Sequence, residues 1–125
     1  MTKLIFGTGS RFGYLSHSQA KYIIDYSRQQ HIHSYDTGFN YGNGRSSRLL
    51  ASTLKASYSD TSFVKVSTKF GTKGSLFNST KDFSVSFFKK CMSFTLHDYN
   101  PIPIYTLYLH GPTIADLQSD SLLSY

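Results

Sequence analysis

The stretch Val64-Lys65-Val66-Ser67-Thr68-Lys69-Phe70-Gly71, VKVSTKFG, decides how the rest of the chain is read. Val64, Val66 and Thr68 alternate with Lys65, Ser67 and Lys69, the period of two that a strand imposes. A strand is therefore predicted from Phe63 to Lys69, leaving into a loop at Gly71. On its N-terminal side, Leu50 and Leu54 mark the buried face of a helix, with Ser46 or Ser47 expected as its cap. Before that helix, His31 to Asp36 reads as a strand running into the glycine-rich loop Thr37-Gly38-Phe39-Asn40-Tyr41-Gly42-Asn43-Gly44. Further upstream, Ser16-His17-Ser18-Gln19 has the capping-box pattern, and Ala20, Ile23 and Ile24 supply an apolar stripe at helical spacing. The chain opens on Leu4-Ile5-Phe6, a short strand ending in Gly7-Thr8-Gly9.

On the C-terminal side, Phe83, Phe87, Cys91 and Phe94 recur every three or four residues, which predicts a helix over Thr80 to Thr95. Asn100-Pro101-Ile102-Pro103 breaks the chain, Ile104 to His110 reads as a strand, and a helix is expected from Ala115 to Tyr125 after Gly111-Pro112. The order is strand then helix, four times over. Such an order implies an α/β chain with a parallel sheet and right-handed crossovers.

The 125 residues suit one domain with a modest core, to which ten Tyr and ten Phe contribute much of the apolar surface. The net charge is +6, but the basic residues are scattered and only Lys89-Lys90 stand together, so nucleic acid is not the expected partner. Cys91 is the only cysteine, which excludes an internal disulfide and suits a packed thiol in a reducing compartment. No apolar run approaches the roughly 20 residues of a membrane-spanning helix. No secretory leader is visible at the N-terminus either, so a soluble, cytoplasmic chain without a membrane partner is expected.

Parallel βα architectures collect their chemistry at the carboxyl ends of the strands. Asp36 ends the second strand, Tyr41 lies in the loop after it, Lys69 ends the third and His110 ends the fourth. Pleat parity puts Ser34 with Asp36, Ser67 with Lys69, and Thr106 with Tyr108 and His110 on common faces. A tyrosine is a poor acid at neutral pH, but a neighbouring ammonium favours its phenolate, and a carboxylate keeps that ammonium charged and in place. With a histidine to orient a carbonyl, the four make a general acid for carbonyl reduction. None of them supplies hydride, which calls for a nicotinamide cofactor.

These motifs resemble the aldo-keto reductases. The similarity lies in FGTG at the first strand, YDTGFNYGNG at the second, VKVSTKFG at the third and LYLHGP at the fourth. The family pattern is Asp-Thr-Ala with Tyr-Gly five residues after the Asp, then Thr-Lys, then a strand ending in His; here Gly38 stands where alanine is usual. The resemblance implies a (β/α)8 barrel and NADPH-dependent reduction of an aldehyde or ketone, with NADH as the other cofactor option. By the same resemblance Tyr41 donates the proton, Lys69 favours its phenolate, Asp36 braces Lys69 and His110 orients the carbonyl. Gly7, Thr8 and Gly9, with Asp36, match the segments lining the nicotinamide end of the cofactor.

A full barrel takes about 250 residues, so residues 1–125 are expected to form its first four units, a truncated N-terminal half-barrel. The family's nicotinamide-amide pair after strand five and its basic segments after the last two strands have no counterpart here. A rival reading, from another class, is an inactive fragment that keeps the motif as a binding module or without function. Open edges at strands one and four would suit pairing with another chain, a second copy among the candidates.

Other features take plainer readings. His31-Ile32-His33 has a metal-binding spacing, but it lies at the far end of its strand and no metal is expected. Gly7-Thr8-Gly9-Ser10-Arg11-Phe12-Gly13 misses the Rossmann fingerprint by one residue. Tyr14, Phe39, Phe70 and Tyr108 are candidates for an apolar pocket or for core, with core favoured for Tyr108.

Overall fold

A computed structural model describes residues 3–75 and 77–119. Four strands form a parallel sheet in the order β1 (Phe6–Gly7), β2 (Ser34–Asp36), β3 (Lys65–Phe70) and β6 (Ile104–Leu109). Helices α1 (His17–Gln29), α2 (Arg45–Ser57) and α3 (Val85–Tyr99) connect them, and α4 (Ile114–Gln118) follows β6. This is the predicted parallel βα order. The expected helix from Ala115 runs on into residues 120–125, which lie outside the described residues.

Local chemistry accounts for each start. The Ser16 hydroxyl accepts from the Gln19 N–H (3.2 Å), and Gln19 Oε1 accepts from the Ser16 N–H (2.9 Å), so the capping box opens α1 as expected. The start of α2 differs from the expectation. Gly44, at φ 84°, occupies the cap position, and neither Ser46 nor Ser47 caps. Both serines are buried in the first turn and bond across the fold instead. Ser46 donates to the Gly9 carbonyl (2.8 Å) and accepts from the Gly13 N–H (3.0 Å), while Ser47 donates to the Tyr99 hydroxyl (3.3 Å).

The largest departure is an antiparallel hairpin of β4 (Thr72–Ser75) and β5 (Asn78–Lys81). Thr80 and Lys81, expected in a helix, belong to this hairpin. Helix α3 starts only at Val85, after Ser84, whose hydroxyl accepts from the Phe87 N–H (3.3 Å). Phe87 and Cys91 are buried as expected, but Phe94 is 54% exposed. Burial pushes the Cys91 thiol up to about 11, which keeps it protonated and inert. Strand β1 is shorter than Leu4–Phe6 would give, because only Phe6 and Gly7 find partners, in Tyr35 and Asp36.

The main core lies between the sheet and one layer of helices. Ala20 and Ile24 of α1, and Leu50, Ala51 and Leu54 of α2, pack with Tyr35 of β2 and with Val64 and Val66. Tyr35 is fully buried, and its hydroxyl contacts those of Ser27 (2.9 Å) and Tyr58 (2.8 Å). Burial raises the Tyr58 phenol well above its ordinary value, so it stays neutral. His33 Nδ1 lies 3.0 Å from the Tyr58 hydroxyl, while His31 is exposed. A second, smaller cluster joins Phe70, Phe87 and Cys91. Phe70 is therefore core, whereas Tyr108 is 48% exposed on the opposite face and is not.

Leu54 is fully buried between α1, α2 and the sheet. Leu54→Ala is expected to cost about 2–5 kcal/mol of stability, read as a lower urea midpoint.

Candidate active site

The backbone ladder of the parallel sheet continues past the strand ends and fixes the site. The Thr8 N–H donates to the Asp36 carbonyl (3.0 Å), Thr37 N–H to Ser67 (2.9 Å), Phe39 N–H to Lys69 (3.0 Å) and His110 N–H to Phe70 (2.8 Å). Tyr35, Val66, Thr68 and Phe70 are buried, so Asp36, Ser67 and Lys69 stand on the other face. The register pairs Asp36 with Ser67, which leaves Lys69 two residues further along the same face, within reach of Asp36.

The loop after β2 returns Tyr41 to that face. Its turn is closed by the Tyr41 N–H donating to the Gly38 carbonyl (3.1 Å). Gly42, Asn43 and Gly44 follow at φ 57°, 54° and 84°. Three successive left-handed residues explain why the loop reads Gly-Asn-Gly, since Gly and Asn tolerate that region best. Gly38 makes the approach of Tyr41 close. A Cβ at that position would meet the Tyr41 ring at 3.1 Å.

The expected residues converge. Lys69 Nζ forms an ion pair with Asp36 Oδ2 and donates to the Thr37 carbonyl (2.8 Å). It also lies 5.1 Å from the centroid of the Tyr41 ring. The rings of Tyr41 and His110 meet edge to face at 5.8 Å between centroids. The Tyr41 hydroxyl has no hydrogen-bond partner among the described residues, leaving it open to a ligand. Burial, then Lys81 and Lys69, hold the His110 imidazole below its ordinary value against the opposing effect of Asp36, so it is neutral near pH 7. Its Nδ1 is buried without a partner. An unpaired acceptor is cheaper to bury than an unpaired N–H, which favours the tautomer protonated at Nε2.

No protein-family model matches the sequence, and no curated protein matches it. Solved structures do. An aldo-keto reductase from Bacillus halodurans, in its holo form, superimposes with a TM-score of 0.78 at 23% identity, covering 98% of this chain and 40% of that one. A candidate aldo-keto reductase from Pseudomonas aeruginosa gives 0.81 at 20% identity, covering 98% of this chain and 47% of that one. A glycerol dehydrogenase from Gluconobacter oxydans gives 0.71 at 19% identity, covering 89% and 36%. The chain has the fold of part of an aldo-keto reductase barrel. It spans less than half the length of these aldo-keto reductase chains, as the four-stranded sheet would lead one to expect.

Within this aldo-keto reductase fold, Gly7 and Gly9 lie at and just beyond the carboxyl end of β1, and a Cβ on either meets nothing within 4 Å. Thr8 between them is buried, and its hydroxyl donates to that of Thr37 (3.1 Å). A cavity of about 690 Å³ lies to one side, lined in part by Phe39, Asn40, Arg48, Lys73 and Phe87. Tyr41, Lys69 and His110 do not line it. Of the aromatics expected around a pocket, only Phe39 borders this cavity, and Tyr14 is 64% exposed. No helix among the described residues is long and apolar enough to cross a membrane.

Two partners of the site escaped sequence reasoning. One is the Thr37 carbonyl, a backbone group with no side-chain signal. The other is Lys81, which donates to the His110 carbonyl (2.5 Å) and was hidden by the helix expected over Thr80 to Thr95. Asp82 and Ser84 carried the signal, because Asp82 Oδ1 accepts from the Ser84 N–H (2.9 Å) and Ser84 caps α3.

The ion pair is only partly exposed, with 18% of the Lys69 side chain and 29% of the Asp36 side chain accessible. Asp36→Asn is expected to lower stability by about 1–3 kcal/mol, because it leaves a partly buried ammonium short of its charged partner. In urea unfolding, adding Lys69→Met to that variant should cost less than the two single losses together.

Proposed function

We propose that the chain carries the proton-handling site of a cytoplasmic oxidoreductase that reduces an aldehyde or ketone to an alcohol. NADPH is the cofactor of this reading, with NADH as the other option. The observation that carries it is Lys69, which grips Asp36 and the Thr37 carbonyl while lying 5.1 Å from the centroid of the Tyr41 ring. A cation so placed lies beside the ring whose hydroxyl gives up the proton in this reading. Tyr41 then protonates the substrate oxygen, and Asp36 holds Lys69 in position. His110, neutral and protonated at Nε2, donates to the same oxygen and orients the carbonyl.

The residues present fit the nicotinamide end of such a cofactor. The open backbone at Gly7 and Gly9 leaves room for a flat ring close to Asp36, and Gly7, Thr8, Gly9 and Asp36 would hold it. When bound, that cofactor supplies the hydride for the carbonyl carbon. NADPH fluorescence should change saturably on adding the protein, and aldehyde reduction should fall about a hundredfold or more in Tyr41→Phe. Unchanged turnover in Tyr41→Phe removes the proton-donor role.

A second reading, a fragment that keeps the motif as a binding module, is favoured by the openness of the sheet. Among the described residues β1 and β6 each have a strand partner on one side only. Leu4 (65%), Ile5 (59%) and Tyr105 (65%) are exposed in or beside these edge strands. Open edges and apolar side chains together favour association with a second copy. Sedimentation velocity should then show a dimer that dissociates on dilution; a monomer at all concentrations opposes it.

A further inference from the structure

We propose that Lys81 is a positioning residue for His110: held on the hairpin, its ammonium clamps the His110 backbone carbonyl and sets where the imidazole stands on the open face. The consequence for turnover rests on the carbonyl-reduction reading above; the clamp itself does not.

The hairpin register places Thr72 opposite Lys81. From there Lys81 Nζ donates to the Thr72 hydroxyl (2.8 Å) and to the His110 carbonyl (2.5 Å), and Thr72 Oγ1 lies 3.4 Å from the same carbonyl. The hairpin base is pinned by the Asp82 N–H donating to the Gly71 carbonyl (2.9 Å) and by an ion pair between Lys73 and Asp82. The next residue, Gly111, turns at φ 61°, and a Cβ there would sit 3.2 Å from Lys81 Nζ. His110 is thus held at both of its backbone polar groups: its N–H donates to the Phe70 carbonyl and its carbonyl accepts from Lys81.

Among the described residues Lys81 forms no ion pair, although its charge is felt at Asp116 of α4; its ammonium donates instead to a carbonyl beside the imidazole. Charged-group donors make the stronger hydrogen bonds, and a carbonyl does not cancel the charge. The groups facing His110 are then Lys81 and Lys69 as cations, Asp36 as the opposing anion, and the Tyr41 ring edge. Both cations resist protonation of the imidazole. The clamp would therefore fix the ring's place and help keep it neutral, as a donor to a carbonyl requires.

The test compares Lys81→Met, Lys81→Arg and Thr72→Val by NMR, with the His110 ring signal assigned through His110→Gln. Two readouts are followed: the His110 titration and the Gly111 amide nitrogen shift, which reports hydrogen bonding at the preceding carbonyl. Lys81→Met should move the His110 midpoint upward, toward the ordinary 6.5, and shift the Gly111 amide. Lys81→Arg should restore the midpoint, since the charge remains. Thr72→Val should shift the Gly111 amide with little change in the midpoint, and it keeps the test decisive if Lys81→Met fails to fold. Where turnover is present, Lys81→Met should lower kcat/KM about tenfold or more, with recovery in Lys81→Arg. An unchanged midpoint and amide in Lys81→Met overturn the clamp. If the parent chain reduces no carbonyl, the reaction reading fails, while the two NMR readouts still decide the clamp.

Discussion

The parallel hydrogen-bond ladder does not stop where the strands end, and the site depends on its continuation. Thr8, Thr37, Phe39 and His110 each donate a backbone N–H to the neighbouring segment just beyond the regular sheet. A side chain at the end of an isolated strand would be free to wander. Here the loop backbones are tied at 2.8–3.0 Å, so Asp36, Lys69 and His110 start from fixed positions. Core burial on the helix side then decides which way they point. With Tyr35, Val66 and Phe70 committed to the core, a strand's alternation leaves Asp36, Ser67 and Lys69 nowhere but the open face.

The loop between Thr37 and Gly44 adds the tyrosine to this frame. Its sequence is shaped by backbone conformation at one end and by close approach at the other. The left-handed run at Gly42, Asn43 and Gly44 delivers the chain into α2 without a side-chain cap. Gly38 lets the Tyr41 ring sit down against the loop. Lys69 beneath that ring faces three groups at once: a carboxylate, a carbonyl and a π-face. Charge concentrated on one side of an open phenol is the feature from which the proposed chemistry follows.

Much of this was legible in the residues. The alternation in VKVSTKFG, the Ser16 capping box and the spacing of Leu50 and Leu54 are periodic signals, and each survives in the fold. The convergence of Asp36, Tyr41, Lys69 and His110 was legible because strand ends in a parallel sheet lie side by side. The hairpin was not. Asn78 to Lys81 are all exposed, so no buried face imposes the alternation that would mark a strand. Phe83, Phe87 and Cys91 meanwhile extended a helical pattern back across it. The cap of α2 was misplaced because Ser46 and Ser47 look like capping residues while their hydroxyls serve Gly9 and Tyr99, contacts more than thirty residues away. Long-range partners and backbone acceptors, such as the Thr37 and His110 carbonyls, have no local signature.

Whether this frame works as a carbonyl-reducing site can be read from one atom. The protein would be incubated with an aldehyde and NADPH deuterated on the transferable position at C4, and the alcohol examined by mass spectrometry and NMR. The account predicts one deuterium on the former carbonyl carbon in the parent chain and a near absence of labelled alcohol with Tyr41→Phe. Absence of labelled alcohol from the folded parent chain, or an equal yield from Tyr41→Phe, would contradict it.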